Sequence, residues 1–236
     1  MPVGMANAMN LGERAGHFNV TNYIGPVHHV DSANLYGKLE KAYDSVNGYF
    51  GTCPDRIEVI IVDNPDMDKV GKQVDSFSAW NKLFSAIVLR RSVVENNKTF
   101  PIIAEHEMTH LAINDILHKK DSREFQWMEE GICTLVSKEQ LDDVDVSKYI
   151  VSHGFLNTSE IYDAIKNENC SISKNGYMQS YCLVKYIVQR YGMQAIINML
   201  ECPDVSFAQA FRRCTGEDFS KLYSEWENNV KASASG

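Results

Sequence analysis

The sequence predicts an α+β fold, with a small α/β lobe at the N-terminus and an all-α lobe after it. Two observations lead to this prediction. Segments with strand-like composition are confined to the first hundred residues. In most of the remainder, apolar residues recur at three- and four-residue spacing, as in amphipathic helices. We place the lobes at residues 1–98 and 99–236, which together are long enough for one domain with a sizeable core.

The N-terminal lobe is predicted to contain strands around one helix. Strands are predicted over residues 17–24, 56–63 and 85–93, which are rich in β-branched or apolar residues. Asp31 can cap a helix over residues 32–50, whose apolar residues recur at helical spacing. Gly51 is expected to end that helix. These elements predict a mixed sheet.

The C-terminal lobe is predicted to be helical throughout. Thr99 suits the cap and Pro101 the first turn of a helix that runs to about residue 118. A further helix is expected to begin near Phe125. Later helices are predicted over residues 176–192, 193–201, 205–213 and 217–231, which show helical spacing of apolar residues.

The helix that begins near residue 99 carries a motif of the metal-binding type. The segment "HEMTH" places His106 and His110 four residues apart, so both imidazoles can bind one metal ion. Glu107 lies about 100° further round the helix, where its carboxylate can reach a water molecule at that metal. The rest of this helix is strongly apolar, and buried imidazoles without partners would be costly. The pattern therefore predicts a metal site with its own general base.

A catalytic zinc ion needs a third protein ligand and an open fourth position. The segment "WMEEG" offers Glu129 and Glu130, which follow His110 after nineteen and twenty residues. Their side chains point about 100° apart on a helix, so only one of them can face the metal. The spacing leaves both glutamates open.

The two motifs resemble those of the gluzincin metallopeptidases. In that family the second motif reads W-L-x-E-G, with the ligand directly before glycine, which here implies Glu130 before Gly131. The segments "YMQSYCLVKYIVQRYG" and "FAQAFRRCTGEDFSKLYSEW" resemble the later helices of small peptidase-MA-like domains. The resemblance implies a minimal thermolysin-like catalytic core with one catalytic Zn2+ ion, and Thr134 as a hydroxyl that supports a ligand histidine. The implied metal ligands are His106, His110 and Glu130.

The resemblance also implies further roles. In related gluzincins a tyrosine of a later helix steadies the oxyanion that forms during hydrolysis. By motif order this is Tyr177, and Tyr181 is the second candidate. The chain lacks the Gly-x-Met-Glu-Asn stretch with which gluzincin aminopeptidases hold a free amine, which favours an endopeptidase. The family architecture would also place residues 85–91 at a sheet edge, where an extended peptide can add as a strand.

Composition excludes several other classes. The net charge of −8 and the scattered Lys and Arg residues argue against nucleic acid as a partner. No segment approaches the roughly 18 apolar residues that span a membrane, and the N-terminus does not read as a signal peptide. The six cysteines show no C-x-x-C pair, so we expect reduced structural thiols and a cytoplasmic protein, with secretion after removal of a signal as the alternative. Oligomeric state is not predicted.

The leading prediction is therefore a zinc metallopeptidase that acts on peptides or proteins, with Glu107 as general base. One alternative is a zinc-containing binding module of the same fold without proteolytic activity. Glu107 argues against it, because a structural zinc site needs no base and generally has four protein ligands. A further alternative is a helical interaction protein in which the motif arises by chance.

Overall fold

A computed structural model describes residues 13–22, 32–63, 75–81, 83–117, 124–202 and 206–236 of the chain. The chain divides into two compact units, Met1–Asp115 and Ile116–Gly236. The sequence-based division at residue 98 assigned the motif helix to the second lobe. The compact units instead keep most of that helix with the sheet.

The described residues of the first unit form a mixed sheet of five strands. These strands are β1 (Glu13–Ala15), β2 (Phe18–Asn22), β3 (Ile57–Val62), β4 (Ser76–Trp80) and β5 (Ser85–Arg90). Their order across the sheet is β1-β2-β3-β5-β4. The pairs β2–β3 and β3–β5 are parallel, whereas β1 and β4 run antiparallel to their neighbours. The predicted mixed sheet is confirmed.

Buried faces of strands and helices form the core of this unit. In β3 every second side chain is buried, because successive residues of a strand point to opposite faces. Helix α1 (Ser32–Phe50) matches its predicted bounds and buries Leu35, Leu39 and Val46. It ends before Gly51, whose φ of +66° suits glycine.

Other predictions for this unit need adjustment. Of the strand predicted over residues 17–24, the structure describes residues up to 22, all but the first in β2. Asp31, the predicted cap of α1, lies outside the described residues. The strand predicted over residues 85–93 ends at Arg90, where helix α2 (Arg91–Glu95) begins.

Strand β4 lies at one edge of the described sheet, next to β5. Because β5 lies between β3 and β4, the expectation that residues 85–91 form an edge is wrong. Beyond β4, the Asn81 N–H donates to the Phe84 carbonyl at 2.9 Å, and the Asn81 side chain accepts from the Leu83 N–H at 2.7 Å. The sequence "SFSAW" of β4 is short and has no continuous apolar run, so it gave no strand signal.

The remaining helices begin with α3, which carries "HEMTH". Their bounds are α3 (Phe100–Leu117), α4 (Glu129–Val136), α5 (Asp143–His153), α6 (Thr158–Ile165), α7 (Cys170–Tyr191), α8 (Met193–Glu201), α9 (Phe207–Thr215) and α10 (Phe219–Ala234). The helix predicted near Phe125 starts as a 3-10 turn, Gln126–Met128, before α4. The described part of the second unit contains no strand, so its predicted all-α character is confirmed there. None of the described helices combines the length and the apolar character that crossing a membrane requires.

Candidate metal centre

Helix α3 presents the two histidines of the motif together. The rings of His106 and His110 lie 5.1 Å apart between centroids, and both residues are half-buried. Four residues are about one helical turn, so the two rings share a face of the helix as expected. The Asn114 side chain donates to the His110 carbonyl at 2.9 Å. Two adjacent imidazoles with access to solvent are suitable ligands for one divalent metal ion.

Glu107, the predicted general base, is buried. It is 5% exposed, and it lies on a helix whose Ala104, Met108 and Leu111 are buried as well. The Ser76 hydroxyl donates to Glu107 Oε1 at 2.7 Å. Ser76 is the first residue of the edge strand β4. The carboxylate is therefore held in place by a hydrogen bond from the sheet.

The neighbouring acid, Glu105, has a different environment. Its carboxylate accepts a hydrogen bond from the hydroxyl of Ser45 on α1, and its carbonyl accepts from the Thr109 hydroxyl at 2.7 Å. Glu105 thus links α3 to α1 inside the first unit, whereas Glu107 is linked to β4. Glu105 and Glu107 belong to the same helix, but their carboxylates bind different elements of the first unit.

In the second unit, Glu129 and Glu130 form the first turn of α4, and both are half-buried. The free N–H groups at a helix N-terminus carry partial positive charge, which stabilises a nearby carboxylate. Thr134, the expected supporting hydroxyl, is 7% exposed one turn later. Nothing observed within this unit selects one glutamate over the other, so Glu130 as third ligand stays a prediction.

Two further residues of the "WMEEG" segment hold α4 in place. The ring of Trp127 is buried against Phe207 and Phe219, at 5.3 Å and 6.1 Å between ring centroids. The Gly131 N–H donates to the Ser180 hydroxyl of α7 at 2.9 Å. A β-carbon at Gly131 would lie 2.5 Å from the Ser180 carbonyl oxygen, so this close approach requires glycine. The segment therefore fixes the position of both glutamates within the second unit.

Cys133 is a candidate ligand that the sequence analysis did not consider. Cys133 is buried on α4 of the second unit, and its thiol offers an alternative to the carboxylates of the two glutamates. The apolar helical patterns around the cysteines predict structural thiols instead. The sequence does contain a signal for Cys133 as a ligand. Cys133 follows Glu129 by four residues and Glu130 by three, so its side chain lies on the same side of the helix as those of the two glutamates.

The two tyrosine candidates differ in exposure. Tyr177 on α7 is 38% exposed, whereas Tyr181, one turn later, is 6% exposed. The Tyr181 hydroxyl accepts a hydrogen bond from Lys185 Nζ at 3.2 Å. Tyr177 is therefore the more accessible of the two, and its role at an oxyanion stays a prediction.

Ser76 is a second residue that the sequence analysis missed. Its contact with Glu107 depends on how β4 lies beside α3, across 31 residues of sequence. No local pattern encodes such a contact.

The sequence matches one protein family. The family is described as the Peptidase MA superfamily, and the match covers residues 88–232. This range begins in β5 and extends into α10, so it includes both motifs. A comparison with curated proteins finds no match to the chain.

Proposed function

Because the chain belongs to the Peptidase MA superfamily, we propose that it is a zinc-dependent endopeptidase of gluzincin type. The observation that carries the proposal is the buried carboxylate of Glu107, which Ser76 fixes on the helix that also presents His106 and His110. An acid–base catalyst must be held within reach of the proton that it transfers. A carboxylate oriented by a neighbouring hydroxyl meets that requirement.

The donor groups fit zinc. His106 and His110 supply two imidazole nitrogens, and Glu130 supplies a carboxylate by its place before Gly131 in the second motif. Cys133 is the competing third ligand, because a thiolate is also a common zinc ligand. These residues would hold a zinc ion, which would supply polarisation of the peptide carbonyl and a bound water molecule with a pKa lowered to about 7.

Glu107 performs the proton transfers. It accepts a proton from the attacking water and then donates that proton to the nitrogen of the leaving amine, so that one carboxylate serves both steps. Ser76 occupies Oε1 of this carboxylate, which leaves Oε2 to exchange the proton. Tyr177 donates a hydrogen bond to the developing oxyanion and so stabilises the transition state.

Strand β4 receives the substrate. It pairs with β5 on one side, and no other described strand pairs with its second edge. An extended peptide that adds to this edge would run past Ser76, the residue that touches Glu107. Strand addition requires no free peptide terminus, which favours cleavage within a chain.

The test is the isosteric variant Glu107→Gln. We expect it to bind zinc as the wild type does and to lose peptide hydrolysis by about two to four orders of magnitude, because the amide cannot accept the proton. Glu105→Gln is the matched control, since Glu105 belongs to the same helix but contacts Ser45. The measurements are zinc content and cleavage of a peptide library, with and without a chelator. Full activity in Glu107→Gln would refute the mechanism.

The same measurements separate the alternatives. Zinc bound by the wild type without cleavage of any library peptide would identify a binding module of this fold. No zinc uptake at micromolar supply would leave the motif without a metal function.

A further inference from the structure

An apolar surface lies at the turn between β4 and β5. We call it the hairpin tip and define it as Trp80, Leu83 and Phe84, which are 45%, 95% and 47% exposed. Across all described residues, eight large apolar side chains are exposed, and three of them are in this turn. Scattered apolar residues are ordinary on a protein surface, but a cluster of large ones marks an interaction surface.

The hairpin tip is held in a defined conformation. The side chain of Asn81 accepts hydrogen bonds from the N–H groups of Leu83 and Phe84 at 2.7 Å and 3.1 Å, and its own N–H donates to the Phe84 carbonyl. These bonds hold Asn81, Leu83 and Phe84 together before any partner binds. Binding to a surface that is already ordered costs less conformational entropy.

The position of the tip on β4 indicates what binds there. Ser76, Ser78 and Trp80 alternate along the strand, so their side chains lie on the same face. Ser76 on that face reaches Glu107. With a rise of about 3.3 Å per residue, Trp80 lies about 13 Å from Ser76 along the strand. A peptide that pairs with β4 would reach the tip about four residues from the point at which it passes Glu107.

We propose that the hairpin tip binds large apolar side chains of the peptide substrate, about four residues from the cleaved bond. This inference rests on the proposed function and adds a substrate class to it. The burial of one leucine-sized side chain removes apolar surface from water and so strengthens binding. Peptides with an apolar cluster at that distance should therefore bind about tenfold or more tightly than polar analogues.

Trp80 provides a direct reading of binding. The chain has three tryptophans, and the other two, Trp127 and Trp226, are each 1% exposed. Quenching by acrylamide therefore reports mainly on Trp80. The probes are a decapeptide with a Leu-Phe-Leu cluster near one end and the same peptide with Ser-Thr-Ser there, added to zinc-loaded Glu107→Gln protein so that neither is cut.

We expect the apolar peptide to protect Trp80 from acrylamide, to shift its emission to shorter wavelength, and to bind about tenfold more tightly than the polar one. Leu83→Ser should remove most of this difference. Val151→Ser is the matched control, since Val151 is 44% exposed on α5, and it should change nothing. Equal binding of the two peptides, or an unchanged difference in Leu83→Ser, would overturn the inference.

Two other partners give distinct results. Protection of Trp80 by vesicles of phosphatidylcholine and phosphatidylserine, with none by the peptide, would show a membrane-binding tip and refute the inference. Protection that grows with protein concentration alone would show self-association and refute it as well. Protection by the apolar peptide in a protein that cuts no peptide would preserve the binding surface and refute the proposed function instead.

Discussion

Glu107 is the residue on which the proposed chemistry depends, and its surroundings determine how it can act. It is buried on α3, and its carboxylate accepts a hydrogen bond from the hydroxyl of Ser76. A hydrogen bond to a charged group contributes about 1.5–3 kcal/mol. The loss of this bond would leave the carboxylate free to rotate away from the position in which it exchanges a proton.

Ser76→Ala tests this role of Ser76 as a positioning residue. We expect kcat to fall about tenfold to a hundredfold, since each 1.4 kcal/mol of lost transition-state stabilisation is about a factor of ten. KM and zinc affinity should change little, because Ser76 is not among the candidate ligands. Ser76→Thr keeps the hydroxyl and should restore most of the rate. Ser78→Ala, two residues along the same strand, is the control. A Ser76→Ala enzyme with an unchanged kcat would contradict the assignment.

The third ligand is a question of three residues, Glu129, Glu130 and Cys133. If Glu130, the residue before glycine in the second motif, is the third ligand, Glu130→Ala should weaken zinc binding by about a hundredfold or more. The loss of one of three protein ligands removes much of the chelation. Glu129→Ala and Cys133→Ala should then have smaller effects. A competitive zinc titration of the three variants measures this. The strongest loss in Cys133→Ala would assign the position to the thiolate.

At this scale the sequence was sufficient for residues that act through local spacing. The helical repeat alone places His106 and His110 on one face, because a turn of helix has a fixed length. Ser76 could not be found in this way, since it reaches Glu107 through the packing of β4 beside α3. Cys133 was overlooked for a different reason: a buried thiol in an apolar helix is most often structural.

Helices α4 and α7 approach each other more closely at a glycine than any other described helices of the second unit. Gly131 on α4 faces Ser180 on α7, with room for no side chain at all. One turn before Ser180 on α7, Gly176 faces α6, where a β-carbon would lie 2.7 Å from the Ile165 nitrogen. The two glycines allow α7 to pack against both helices with backbone in contact. The position of the glutamates on α4 depends on the first of these contacts.

Gly131→Ala should therefore destabilise the protein. We expect a loss of about 3 kcal/mol in the free energy of unfolding, because the added methyl group meets backbone atoms that cannot move aside. Gly37→Ala on α1 is the matched control, since its β-carbon would meet nothing within 4 Å. In that exposed helical position alanine should stabilise by about 0.5–1 kcal/mol. Denaturant unfolding of both variants measures the difference, and a loss of equal size in both would contradict the packing argument.

The elements themselves were predicted where their signals were strong. Helix α1 was predicted within its bounds, because a capping site, an apolar stripe and a terminal glycine agree there. Strand β4 was not predicted, because its five residues are a short run without a β-branched side chain, and the strand is defined by its pairing with β5. Helix α2 was read as part of a strand, since the apolar run of β5 continues into it with Val93 and Val94.

For the whole molecule, the distribution of the cysteines is a testable property. All six are free. Cys53, Cys133 and Cys202 are buried, whereas Cys170 is exposed. Burial, with a smaller contribution from Asp115, raises the pKa of the Cys53 thiol to about 12. Because the thiolate is the reactive form, Cys53 should remain inert in the folded protein at any pH below that value.

We therefore expect iodoacetamide at pH 8 to modify Cys170 in the native, metal-free protein and to leave Cys53 and Cys202 unmodified. In denaturant all six cysteines should react, since each thiol then has its ordinary pKa of about 8.5. Mass spectrometry of the alkylated protein measures this. Because the pKa of Cys53 is raised by folding, its contribution to stability is present below about pH 8.5 and lost as pH rises toward 12. Rapid modification of native Cys53 would contradict the burial.

The edge of β4 that no described strand covers has a consequence for colloidal behaviour. A strand that is unpaired on one side offers its backbone to any other strand, and natural edges are commonly guarded by lysine, proline or a bulge. The sequence "SFSAW" has no charged residue and no proline. The net charge of −8 then provides the repulsion that keeps copies apart. Acidification neutralises that charge, so the edge that serves substrate binding would become the first place at which the protein aggregates.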